Sequence, residues 1–157
     1  HIRNEEDKDI LTRKLFDVNM RLFHSSPSYK RIVLDCCAYI EWSTLTEKEG
    51  YKKPHGWSGA NAGIPFNIIA YKIDDKSARV MINPKIDAYG DLKKKVKSNC
   101  GSLTLDKPLE IERTVQVYVT YYDIRGNVKR TSFGPNPGFT IQHEIEHNLG
   151  ILITDKG

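Results

Sequence analysis

The residues best equipped for chemistry lie near the C-terminus, where Gln142-His143-Glu144-Ile145-Glu146-His147 contains the pattern H-E-x-x-H. On a helix, side chains four apart share a face with Cβ atoms about 5–6 Å apart, so His143 and His147 can reach a single metal ion. Glu144, next to the first imidazole, is placed to take a proton from water as general base. Phe139, Ile141, Ile145 and Leu149 are apolar neighbours able to keep such a site dry, whereas Glu146 reads as a solvated or supporting carboxylate. The competing reading is a charged surface helix whose two histidines have no chemical role. A catalytic metal site takes three protein ligands. Only Asn148 to Gly157 follow the second histidine, with Asp155 as the strong candidate among them. An upstream ligand is therefore expected, and Cys100, in the small-residue loop from Ser98 to Ser102, is the candidate. One thiolate and two imidazoles leave a fourth tetrahedral position open.

The elements that must position these groups can be read from the same pattern. Asn136-Pro137 predicts a helix start, with the helix running from Gly138 to Asn148. A second helix is predicted from the N-cap Ser26 and from Pro27 in its first turn. Tyr29, Ile32, Val33, Cys36, Cys37 and Ile40 follow helical spacing up to about Thr44. Between the helices the residues are strand-like. Asn67 to Ile73 is followed by the turn Asp74-Asp75-Lys76, and Ala78 to Ile82 ends at Asn83-Pro84. Residues 109–124 are β-branched and aromatic, with Val115, Val117 and Val119 alternating. Arg125-Gly126-Asn127 then turns the chain into Val128 to Phe133. Residues 46–54 and the small-residue run from His55 to Asn67 read as loops, and residues 1–25 as a loosely docked arm carrying at most a short helix. The expected fold is α+β in one domain over 1–157: small antiparallel or mixed sheets packed around the C-terminal helix, with the other helix near the N-terminus.

Composition narrows the function classes. A chain of 157 residues with 39% hydrophobic and 28% charged residues can bury one core without disulfides or structural metal. No apolar run approaches the roughly 20 residues of a membrane helix, so a soluble, cytoplasmic protein is expected. Twenty-four basic residues against twenty acidic ones leave a net charge of +4, too small to define a partner. The patch Lys93, Lys94, Lys95 and Lys97 lacks interleaved aromatics. It reads as a solvated loop or helix face, or a weak docking surface for an anionic assembly such as a ribosome, not a nucleic-acid groove. Cys36, Cys37 and Cys100 make an odd count with two adjacent, which excludes a disulfide framework and fits a reducing compartment.

Taken with their surroundings, these residues resemble the peptide deformylases. That family carries three motifs in order, G-x-G-L-A-A-x-Q, E-G-C-L-S and Q-H-E-x-D-H. The third is present as QHEIEH, with Glu146 in place of Asp, inside FTIQHEIEHNLGILITD, while IIAYKI and VMINP match strand elements between the first two motifs. The resemblance runs from about Tyr29 to Asp155. Aligning the first motif on Gly63-Ile64-Pro65 places its second glycine at Gly56 and its glutamine at Asn61. The second motif aligns in two ways. With Cys100 as the ligand, the family's Glu becomes Ser98 and its ion pair with a later arginine, here Arg113, is absent. With Gly101-Ser102-Leu103-Thr104 matched to G-C-L-S, Ser102 takes the ligand position, and a hydroxyl binds Fe²⁺ or Zn²⁺ poorly. The first alignment completes a chemically sensible site.

The resemblance implies a metal-dependent hydrolase that removes the formyl group from the N-terminal formyl-methionine of nascent polypeptides. Cys100, His143 and His147 would hold one divalent transition metal, Fe²⁺ in the cell and Zn²⁺ or Ni²⁺ in preparations. Glu144 would move the proton, and the Gly101 N–H and the Asn61 amide would stabilise the oxyanion. Gly56 would pair with the substrate backbone, and His55, Phe139 and Thr140 would border the methionine pocket. The implied partners are a formyl-methionyl peptide and the ribosome surface, with no specific nucleic acid, no membrane and a monomeric state. Two alternatives stand beside this: a weak or inactive homologue that binds peptides or the ribosome, and an H-E-x-x-H zinc peptidase.

Overall fold

The computed structural model of the chain describes residues 15–46, 55–98 and 109–151. Cys100, Gly101, Ser102 and Asp155 lie outside these residues. The element order is α1 (Met20–Ser25), α2 (Pro27–Leu45), β1 (Gly56–Ser58), α3 (Gly59–Ala62), β2 (Ile68–Asp74), β3 (Ser77–Tyr89), β4 (Lys93–Ser98), β5 (Leu109–Thr114), β6 (Val117–Tyr122), β7 (Val128–Phe133) and α4 (Pro135–Asn148). A five-stranded antiparallel sheet has the order β1-β2-β3-β6-β7, and β4 and β5 form a separate antiparallel pair. This is the α+β arrangement expected, with a helix packed on each face of the larger sheet.

Strand β2 shows why two helices are needed. Ile68, Ile69, Ala70 and Tyr71 are all buried, although successive strand side chains point to opposite faces. Ile68 and Ala70 pack with Val33, Cys37 and Ile40 of α2, while Ile69 and Tyr71 pack with Ile141 and Ile145 of α4. Both helices follow the rule that an apolar stripe faces the core. In α2 the buried positions are Val33, Cys37, Ile40, Ser43 and Thr44, which recur at three- and four-residue steps along one face. Ser26 caps this helix by accepting from the Tyr29 N–H at 3.3 Å.

Several expected boundaries shift for local reasons. Helix α4 begins at Pro135, with Gly134 as N-cap and no side-chain cap, and not at Asn136-Pro137. Pro135 and Pro137 fall in the first turn, where backbone N–H groups have no helical partner to lose. Strand β3 runs through Asn83-Pro84 to Tyr89 instead of stopping there. Asn83 takes φ 53° at a register shift between Ile82 and Lys85, a bulge that tolerates the missing N–H of Pro84. The Asn83 carboxamide accepts from the Val18 N–H at 2.7 Å and donates to the Val18 carbonyl at 2.8 Å, acting as a ladder partner for the N-terminal segment. Over the described part of the expected arm, Val18 and Phe23 are buried and Leu15 donates its N–H to the Asn148 carbonyl at 2.8 Å.

The lysine run is neither a loop nor a helix face. It is strand β4, paired residue for residue with β5 from Lys93↔Thr114 to Ser98↔Leu109, and Lys93, Lys94 and Lys95 are exposed. Residues 109–124 form two strands, not one, because the chain leaves β4 at Val115, whose N–H reaches the Leu92 carbonyl at 2.8 Å, and joins the larger sheet at Val117.

Candidate active site

Helix α4 is fixed on three sides. Ile141 and Ile145 hold it to the sheet. The buried Gln142 donates to the Thr114 carbonyl at 2.8 Å, tying it to β5. Its end is closed by a Schellman turn, in which the Ile151 N–H bonds the Glu146 carbonyl at 2.9 Å and the Gly150 N–H bonds the His147 carbonyl at 3.0 Å, with Gly150 at φ 81°. The remaining face presents His143, Glu144 and His147.

Each of these three offers a ligand atom, and the three atoms lie within 4.8 Å of one another. Glu144 and His147 are 4% and 3% exposed, and the two imidazole centroids are 4.3 Å apart. Burial holds His147 down to about 4, with the Arg113 guanidinium adding to the effect. Burial also holds His143 well below the ordinary imidazole range, helped by His147 and Arg113. Both rings are therefore neutral at physiological pH, which is the form that binds a metal. Burial pushes Glu144 up to about 8, opposed by Arg113. Among the described residues its Oε1 is buried without a hydrogen-bond partner, 3.5 Å from His147 Nδ1. Buried carboxylate oxygens are almost always satisfied. An orphaned one between two neutral imidazoles fits a divalent cation and its water.

The other sequence-predicted residues divide into three sets. Gly56 is brought onto the site: a Cβ there would meet Thr140 Cγ2 at 2.6 Å, Glu144 Cγ at 3.0 Å and the Ala70 carbonyl at 3.1 Å. Thr140 thus joins Gly56 and Glu144. Asn61 is also brought in, with its Oδ1 3.1 Å from His147 Nδ1. His55 is exposed at the entrance to β1, and its carbonyl accepts from the Lys72 N–H at 2.8 Å. Phe139 is half-buried on α4. Cys100 and Gly101 lie outside the described residues.

Arg113 pairs with Glu146, and the two side chains are 3% and 14% exposed, so of the two readings of Glu146 the supporting one holds and the solvated one does not. Glu146 reaches this buried guanidinium from the flank of α4, while Arg113 Nη2 lies 3.5 Å from His143 Nδ1. Two supporting residues were not anticipated. Ser58 caps α3 through a reciprocal pair of bonds with Asn61, and the S-x-x-N spacing could have revealed it. Asn148 is 1% exposed. It accepts from the Ala60 N–H at 3.1 Å and donates to Asn67 Oδ1 and the Ile68 carbonyl, both at 3.0 Å. No local pattern marks that role.

A buried H-E-x-x-H helix laid on an antiparallel sheet, with neutral imidazoles beside a partnerless carboxylate, defines a metallohydrolase. Residues 44–157, well over half of the chain, match the polypeptide deformylase family, and the chain belongs to it. It is 26% identical to a peptide deformylase of Oceanobacillus iheyensis over 155 residues, covering 93% of this chain and 83% of that protein. It is 32% identical to one of Pelagibacter ubique over 104 residues, covering 64% of this chain and 60% of that protein. The fold matches a class I type b peptide deformylase from Acinetobacter baumannii with a TM-score of 0.76 at 24% identity, over 98% of this chain and 95% of that one.

Proposed function

We propose that the chain removes the formyl group from the N-terminal formyl-methionine of nascent polypeptides, using one divalent metal ion. The observation that carries this is the trio His143, Glu144 and His147, with ligand atoms within 4.8 Å of one another and Glu144 Oε1 buried without a partner among the described residues. When bound, the ion supplies Lewis-acid polarisation of the formyl carbonyl and lowers the pKa of water.

The chain's own residues supply the rest. His143 and His147 hold the ion, and Cys100 is their partner in this reading. Glu144 accepts the proton of the attacking water and passes it to the amine nitrogen as the C–N bond breaks, leaving formate and a free N-terminus. Its position in a dry pocket suits a group that must both take a proton and give it back. The Gly101 N–H and the Asn61 amide stabilise the oxyanion. Strand β1 is outermost in its sheet, and its Gly56 lets the strand approach Glu144 closely. A substrate backbone can therefore align there as an added strand, with its methionine side chain toward Phe139 and Thr140 and past His55.

The finer identity belongs to the same proposal: Fe²⁺ in the cell with Zn²⁺ or Ni²⁺ in preparations, a monomer, and a cytoplasmic setting at the ribosome surface. The exposed lysines of β4 support the last point, and no helix among the described residues is long and apolar enough to cross a membrane. The test is formate release from a formyl-Met peptide by the metal-loaded chain, with the unformylated peptide as control. Formate from the first and no cleavage of the second is expected. Cleavage of the unformylated peptide indicates a peptidase and overturns the proposal, as does the absence of formate.

A further inference from the structure

The carboxamide of Asn61 is gripped from one side and touches a candidate metal ligand on the other. Its Oδ1 accepts from the Ser58 N–H at 3.2 Å and from the Ser58 hydroxyl at 2.7 Å, while that hydroxyl accepts from the Asn61 N–H at 3.2 Å. The Ser58 N–H is a backbone donor and can have only an acceptor opposite it. This fixes which end of the carboxamide is oxygen, because a flipped amide would set two donors against each other. His147 Nδ1 lies 3.1 Å from the same oxygen. A nitrogen at that distance from an acceptor must carry the proton, so the lone pair of the neutral ring is on Nε2.

We infer that Asn61 is a positioning residue for His147: its oxygen, fixed by Ser58, holds the imidazole as the Nδ1–H tautomer and leaves Nε2 as the nitrogen that binds the metal. One further contact makes the grip rigid. The next residue back, Ala60, donates its N–H to the Asn148 carboxamide, and Asn148 directly follows His147 on α4. The short helix with Asn61 is thereby tied to the end of the helix with His147, so ring and acceptor keep one spacing. An acceptor bonded to the second nitrogen of a ligand histidine fixes ring orientation and raises its basicity, and losing it typically lowers metal affinity about 10–100-fold.

This inference rests on the reading of His147 as a metal ligand, yet its first test needs neither metal nor substrate. Long-range ¹H–¹⁵N spectra of the metal-free chain near neutral pH distinguish the two imidazole tautomers. The wild type is expected to show His147 as Nδ1–H, and Asn61→Leu, similar in size but lacking the acceptor, to lose that preference. Asn61→Asp, which restores an acceptor oxygen, is expected to keep it. Zn²⁺ titration should follow the same order, with affinity reduced about 10–100-fold in Asn61→Leu and retained in Asn61→Asp. Should Asn61→Leu fail to fold, the wild-type spectrum still decides. An Nε2–H tautomer there, or unchanged tautomer and Zn²⁺ affinity in a folded Asn61→Leu, overturns the inference, whether or not formyl peptides prove to be substrates.

Discussion

The guanidinium of Arg113, on β5, is paired with the carboxylate of Glu146, one residue before the second histidine of the H-E-x-x-H helix. Both side chains are largely removed from water, so the pair fastens the metal-binding helix to the smaller sheet at the point where His143 also meets Arg113. Removing one partner takes the opposite charge away from the other.

Arg113→Ala is therefore expected to cost about 3–5 kcal/mol. The double variant Arg113→Met/Glu146→Leu, which leaves no orphaned charge, is expected to recover most of that loss. Urea unfolding of the three proteins checks this. Equal losses in the single and double variants would show that packing, not charge, governs the position.

Gly56→Ala places a methyl group 2.6 Å from Thr140 Cγ2 and 3.1 Å from the Ala70 carbonyl. Overpacking of this kind costs about 1–3 kcal/mol. Because Glu144 Cγ lies 3.0 Å from the same methyl, activity should fall further than stability alone explains. Steady-state kinetics beside thermal unfolding separates the two losses.

Glu144→Gln keeps the shape of the side chain and removes its ability to carry the proton. Formate release is expected to drop about 10²–10⁴-fold while the metal content of the purified protein is retained. Parallel loss of metal would instead make Glu144 a ligand.

Cys37, buried in α2 and far in sequence from the site, gives a pH prediction. Burial pushes its thiol up to about 12 from 9.0, with Cys36 and Glu41 adding to the shift. A folded-state value raised above the unfolded one contributes stability that is full below pH 9.0 and lost as pH rises toward 12. Site-resolved alkylation at pH 9 should leave Cys37 unmodified in the native chain and modify it in urea. Rapid native modification would contradict its burial.

Much of this arrangement is legible in the sequence, for local reasons. The spacing of His143 and His147, the Ser26-Pro27 helix start and the alternation at Val117 and Val119 are short-range signals with short-range causes. Less legible were features decided by distant partners. The lysines of β4 read as a loop or helix face until Leu109 to Thr114 supply a strand to pair with. Asn83-Pro84 reads as a strand end until Val18 arrives to satisfy the Asn83 carboxamide. Glu146 reads as either solvated or supporting because the arginine it meets is thirty-three residues earlier. Asn61 was found by its place in a motif, but its contact with His147 depends on how α3 and α4 pack.

The central claim is that His143 and His147 share one catalytic metal ion with a thiolate from Cys100. X-ray absorption at the metal edge of the purified protein tests it most directly. The account predicts one ion per chain with two imidazole nitrogens and one sulfur around it, and loss of the ion in His147→Ala. An ion without sulfur or imidazole ligands, or the same spectrum in His147→Ala, would contradict it.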